Sequence, residues 1–177
     1  NTPDIEFIVV DDGSTDATAQ VNRNQVDGIN NDLSAIANDA EADAVVNDNQ
    51  VAGTDNNLDA EANGENSTAV VNSNELDGNN IDVLAETGTD DTDSEASASG
   101  NELDGSDIAV TASVTDNDAT ANADSNEVEG NDNSVTASAS ATSSDAQANG
   151  NDVDGNDNDI AASASDEDAT ATADDNQ

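Results

Sequence analysis

One phrase returns through this chain at nearly constant intervals, and that period limits the possible folds more than any other feature. Asn-(Gln/Glu/Asp)-(Val/Leu)-x-Gly occurs as NQVDG (24–28), NQVAG (49–53), NELDG (74–78), NELDG (101–105), NEVEG (126–130) and NDVDG (151–155). Successive copies lie 25, 25, 27, 25 and 25 residues apart. A period of this size marks stacked repeats, in which each unit buries its apolar face only against its neighbours. Low hydrophobicity with a net charge of −41 would otherwise read as disorder. An unfolded acidic tail has no reason to keep such a period.

The residue types repeat in columns. Five residues after each glycine stands a branched apolar residue, Leu33, Leu58, Val83, Val110, Val135 or Ile160, and two further on there is always alanine: Ala35, Ala60, Ala85, Ala112, Ala137, Ala162. Five residues before each anchor asparagine the chain again has only alanine: Ala19, Ala44, Ala69, Ala96, Ala121, Ala146 and, before Asn176, Ala171. Asp, Asn, Ser and Thr alternate with these positions, and a period of two is the mark of a half-buried strand. A buried alanine contributes about 0.8 kcal/mol, too little for one coil to offset its own ordering entropy. The coils must therefore stack.

The expected fold is all-β: a β-solenoid of about seven 25-residue β-arch coils, a single repeat domain over 1–177 with coils near 1–23, 24–48, 49–73, 74–100, 101–125, 126–150 and 151–177. The alanine columns let two sheets approach closely, and Val26, Val51, Leu76, Leu103, Val128 and Val153 fill the corner before the turn. Asn24, Asn49, Asn74, Asn101, Asn126 and Asn151 are expected to form an amide ladder, with Gly28, Gly53, Gly78, Gly105, Gly130 and Gly155 as turn glycines. The odd coil carries GTDDTD (88–93) between inner positions Thr87 and Ser94, so its two extra residues fall in a turn and leave the strands in phase.

Composition removes most chemistry. There is no His, Cys or Lys, and Arg23 is the one basic residue, so imidazole, thiol and amine mechanisms and soft-metal sites are excluded. The charge repels nucleic acid and anionic lipid, and no segment approaches the roughly 20 apolar residues of a membrane span. FIVVDDGSTDAT (7–18) resembles the first strand and nucleotide turn of family 2 glycosyltransferases, which would make Asp11 and Asp12 nucleotide-side carboxylates. No second transferase element follows. Sliding the first coil by 152 residues puts Ile8 on Ile160, Val10 on Ala162 and DATAQV (16–21) on DATATA (168–173), so the stretch reads as the first coil and the chain as no enzyme.

The coil VEGNDNSVTASA (128–139) resembles the curlin repeat of bacterial curli fibres through Gly130, Asn133 and Val135. The same offsets recur at Gly28, Asn31 and Leu33, at Gly53, Asn56 and Leu58, and at Gly155, Asn158 and Ile160, while Ile81 and Ile108 replace the asparagine in two coils. The resemblance implies a secreted fibre subunit. Acidic residues also stack, as Asp27, Asp77, Asp104, Glu129 and Asp154 before the turn glycines, and as Asp55, Asp107, Asp132 and Asp157 after them. Like charges about 4.8 Å apart repel by about 0.9 kcal/mol in water, a penalty that Ca²⁺ would remove. The fold requires no cofactor, and calcium is the candidate ligand of these columns.

The expected function is a structural subunit of an extracellular filament at the cell surface or in a biofilm matrix. Its partners would be copies of itself joined head-to-tail, with assembly favoured by salt. The alternative is a calcium-dependent spacer or adhesin segment of a larger secreted protein. The missing initiator Met and leader fit a processed or fragmentary chain. The length is that of seven 25-residue coils plus the two-residue insertion, so a following copy would continue the spiral in phase, about 34 Å further along the axis.

Overall fold

The computed structural model describes residues 6–12, 17–88, 92–174, 176 and 177. The described residues contain strands and turns and no helix. They wind as a β-solenoid of about 6 turns. Two parallel sheets run along its axis. A long one has 10 strands, and a short one has 7, one from each of seven successive rungs. In three consecutive rungs the strand of the long sheet is continuous, as Gln50–Asn63, Glu75–Thr87 and Glu102–Val114; elsewhere a corner divides it in two. The first described strand of the long sheet is Glu6–Asp12, and the seven strands of the short sheet follow the expected coils.

Pairing is in register with the sequence period. Leu33 pairs with Leu58, Ala35 with Ala60 and, in the next step, Leu58 with Val83 and Ala60 with Ala85. In the short sheet Ala44 pairs with Ala69, which pairs with Ala96. A one-residue slip would turn every inward alanine outward, so the alternation fixes the register. The inward faces of the two sheets share one core. Ala35, Ala60, Ala85, Ala112 and Ala137 are fully buried, and Ala162, on the last rung, is partly so. Leu76, Leu103 and Val128 fill the corner with about 1% exposure. Small inward side chains let the two sheets approach closely, and the branched residues are buried beside them.

The two extra residues lie where the sequence places them. Glu86 pairs with Glu61 on one side and Glu95 with Thr68 on the other, while Thr87 and Ser94 are buried. Residues 89–91 lie outside the described residues.

The first rung departs from the expected alignment. Phe7 pairs with Leu33 and Val9 with Ala35, so Phe7 and Val9 occupy the columns assigned to Ile8 and Val10. Val9 packs against the core, whereas Ile8 is 46% and Val10 55% exposed. Thr18 still pairs with Asp43 at the ordinary period, so the extra residue of this rung falls between Asp12 and Thr18. The cause is local. In EFIVV both faces are apolar, so alternation gives no preference between two registers that differ by one residue.

Candidate functional site

The feature that runs through the whole stack is a buried asparagine ladder. Asn49, Asn74, Asn101, Asn126 and Asn151 are about 1% exposed at the turn from the short sheet to the long one. Each uses its whole amide. The Oδ1 of Asn74 accepts from the backbone N–H and the Nδ2 of Asn49, both at 3.0 Å. Its Nδ2 donates to the carbonyl of Val46 and to the Oδ1 of Asn101, both at 3.0 Å. The pattern starts at Asn24 and continues past the expected Asn151 to Asn176, whose Oδ1 accepts from Asn151 at 2.9 and 3.2 Å. Two donors and two acceptor sites per amide are thus satisfied, which is the condition for burying it.

The glycine column has a different cause from the one expected. Gly53, Gly78, Gly105 and Gly130 sit inside long-sheet strands rather than in a turn, and Gly155 lies in the bend just after Asp152–Asp154. A Cβ on Gly78 would land on the carbonyl oxygen of Gly53, and one on Gly105 on that of Gly78. The backbones are stacked too closely for any side chain.

The acidic positions divide into two kinds. Asp27, Asp77, Asp104, Glu129 and Asp154 form one exposed column, broken at Ala52. Asp55, Asp107, Asp132 and Asp157 share a column with Asn30 and Asn80, and all six have φ between 55° and 60°. This left-handed conformation favours Asn and Asp, which bond locally to their own backbone. Backbone geometry is thus one reason for aspartate in that column, independent of any ion. Two more left-handed columns exist, one through Arg23, Asp48, Ser73 and Ser125, the other through Glu41, Asn66, Asp93, Asp118, Ser143 and Asp168. Arg23 faces Asp48 at 3.8 Å on the surface. Among the described residues no three carboxylates converge as a metal-binding group.

The column of Asn31, Asn56, Asn133 and Asn158 is interrupted by Ile81 and Ile108, both buried. Asn31 donates to Asn56 at 2.8 Å, but the Nδ2 of Asn56, which would reach the next rung, meets Ile81 there and has no partner. On the far side Asn133 accepts from the N–H of Ile108 at 3.1 Å.

Three features were not expected from sequence. On the outer face of the short sheet Asn47, Asn72, Ser99, Asp124, Asn149 and Asp174 each give a backbone N–H to the side chain one rung below. Their recurrence at the coil period was the available signal. Beside this second ladder lies a shallow groove of about 550 Å³ lined by hydroxyls and amides, among them Ser97, Thr120 and Asn122, with Asp124 as its one carboxylate. The third is the carboxylate patch on the outer face of the long sheet, where Asp59 is half-buried beside Glu61, Asp32, Glu86 and Asp82. Burial first, and those four neighbours next, push the Asp59 carboxyl up to about 6, and burial also raises that of Asp82.

No protein family, curated protein or solved structure matches the chain. No helix among the described residues is long and apolar enough to cross a membrane.

Proposed function

We propose that this chain is a structural subunit of an extracellular filament that grows by stacking coils head-to-tail. The observation that carries the reading is the repetition of one contact at every step: the same asparagine bonds, the same glycine approach and the same alanine pairing join each rung to the next. A contact that serves between successive coils of one chain serves equally between coils of two chains, and open strand edges are templates for such pairing. The lysine-free acidic surface supports a location outside the cell in salt water, where screening shortens repulsion to less than about 10 Å. Without His, Cys or Lys the reading assigns no catalytic step.

The test is assembly of the purified chain as salt is raised, followed by electron microscopy and fibre diffraction. Unbranched filaments with a meridional spacing of about 4.8 Å are the expected result. A chain that remains monomeric at 1 M NaCl would refute the filament and leave the spacer of a larger secreted protein as the reading.

A further inference from the structure

The outer face of the long sheet is sorted along the axis in a way the fold does not require. The first rung exposes Ile8 and Val10. The next three carry the carboxylates Asp32, Asp59, Glu61, Asp82 and Glu86, with Leu84 in the middle column of the fourth rung. The last three rungs present Thr111, Ser113, Ser134 and Thr136 with small neighbours, and Asp159 is their one charge. The exposed column from Asp27 to Asp154, by contrast, is acidic on five of its six rungs.

Two copies of this face fit together in one order. A half-turn about an axis parallel to the strands keeps the columns and reverses the rungs. Leu84 then meets Leu84, Asp59 and Glu61 meet Thr111 and Ser113, Asp32 meets Ser134 and Ile8 meets Ala161, while the Glu6 position falls opposite Asp159. Packed in the same order by a half-turn about the stacking axis, the acidic second to fourth rungs would lie over acidic rungs, with Asp59 facing Asp59 and Asp82 facing Glu86 across about 10 Å.

We propose that the outer face of the long sheet is a self-association surface on which a second copy packs in reversed order, its hydroxyl rungs over the carboxylate rungs of the first. Hydroxyls donate to the carboxylates they cover, and the apolar end covers the small-residue end. Asp82 and Glu86 face their own copies at the central rung, so pairing strengthens with salt. Seven rungs at about 4.8 Å and a width of about 14 Å give on the order of 400 Å² per copy, below the usual 800 Å² of a stable interface. Single subunits therefore pair weakly. In the filament, on which this repeated form of the proposal rests, the contact recurs along the axis and becomes durable.

The experiment compares the full chain with Thr111→Glu and Thr111→Lys in NaCl from 0.1 to 1 M, with circular dichroism melts to confirm that each is folded. Thr136→Glu replaces Thr111→Glu should the latter not fold. Where filaments form, wild type is expected as pairs, Thr111→Glu as single filaments, and Thr111→Lys as pairs that persist to lower salt. Where they do not form, the filament reading fails, and sedimentation equilibrium on the soluble chain reads the pairing directly. Dimerisation is then expected to weaken at least tenfold with Glu and tighten at least tenfold with Lys. Unpaired wild type in both assays, or Glu and Lys shifting pairing in the same direction, would overturn the proposal.

Discussion

Replacing Asn74 with alanine removes an amide from the middle of the buried ladder, and the cost follows from what it leaves behind. The N–H and one amide hydrogen of Asn49 both end on the Oδ1 of Asn74, at 3.0 Å each. In the variant neither has an acceptor, and at 1% exposure of Asn74 no water reaches them. An orphaned buried donor costs about 1–3 kcal/mol, so the two together cost about 2–6 kcal/mol. On the acceptor side the loss is smaller, because the Oδ1 of Asn101 keeps the N–H of residue 74 at 3.1 Å. Asn72 is the control. Its Oδ1 also accepts a backbone N–H, from Ser99 at 2.7 Å, but on the half-exposed outer ladder, where water replaces it and the loss is about 0.5–1.5 kcal/mol. The chain has no Trp or Tyr, so urea unfolding is followed by far-ultraviolet circular dichroism. Comparing two variants of one coil keeps the result independent of whether the array unfolds in one step. If Asn74→Ala costs no more than Asn72→Ala, to within about 0.5 kcal/mol, the satisfied-amide account of the ladder is wrong.

Three further outcomes are expected. The Asp59 carboxyl is raised from 3.8 to about 6 in the fold, so the folded chain takes up the proton first and stability rises as pH falls from above 6 towards 4; Asp59→Asn should melt higher than wild type at pH 7.5 and lose that advantage below pH 4, and an advantage independent of pH would count against the charge patch as its cause. Gly78→Ala should prevent folding or cost several kcal/mol because its methyl meets the Gly53 carbonyl, whereas Gly100→Ala, with open space but a φ of 66°, should cost about 1 kcal/mol; similar melting temperatures would contradict the close approach. For the exposed column from Asp27 to Asp154, millimolar CaCl₂ should raise the melting temperature more than NaCl of equal ionic strength, and equal shifts would leave only diffuse screening.

What the sequence disclosed and what it hid divide along physical lines. The alanine columns, the asparagine ladder and the place of the insertion were legible because each repeats one residue type at one period. The first rung was not, since EFIVV satisfies two registers and only pairing of Val9 over Ala35 separates them. Asp107, Asp132 and Asp157 carry two readings in sequence, because the residue type that left-handed backbone favours is also the type that binds calcium. Asp59 escaped notice because its burial, the main cause of its shift, is set by packing against neighbouring rungs, and of the carboxylates that add to it only Glu61 is near in the chain, while Asp32, Glu86 and Asp82 stand about 25 residues away.

The buried asparagines all point one way: from Asn24 to Asn176 every amide turns its nitrogen towards the next rung and its oxygen towards the one before. Aligned amides polarise one another, so the row behaves as a one-way wire of dipoles laid along the axis. Reversing one segment end for end would set oxygen against oxygen at the joint, with no proton between them. A break in the row is therefore mended only by a piece facing the same direction, and that direction is written in side chains of which all but the terminal Asn24 and Asn176 are buried.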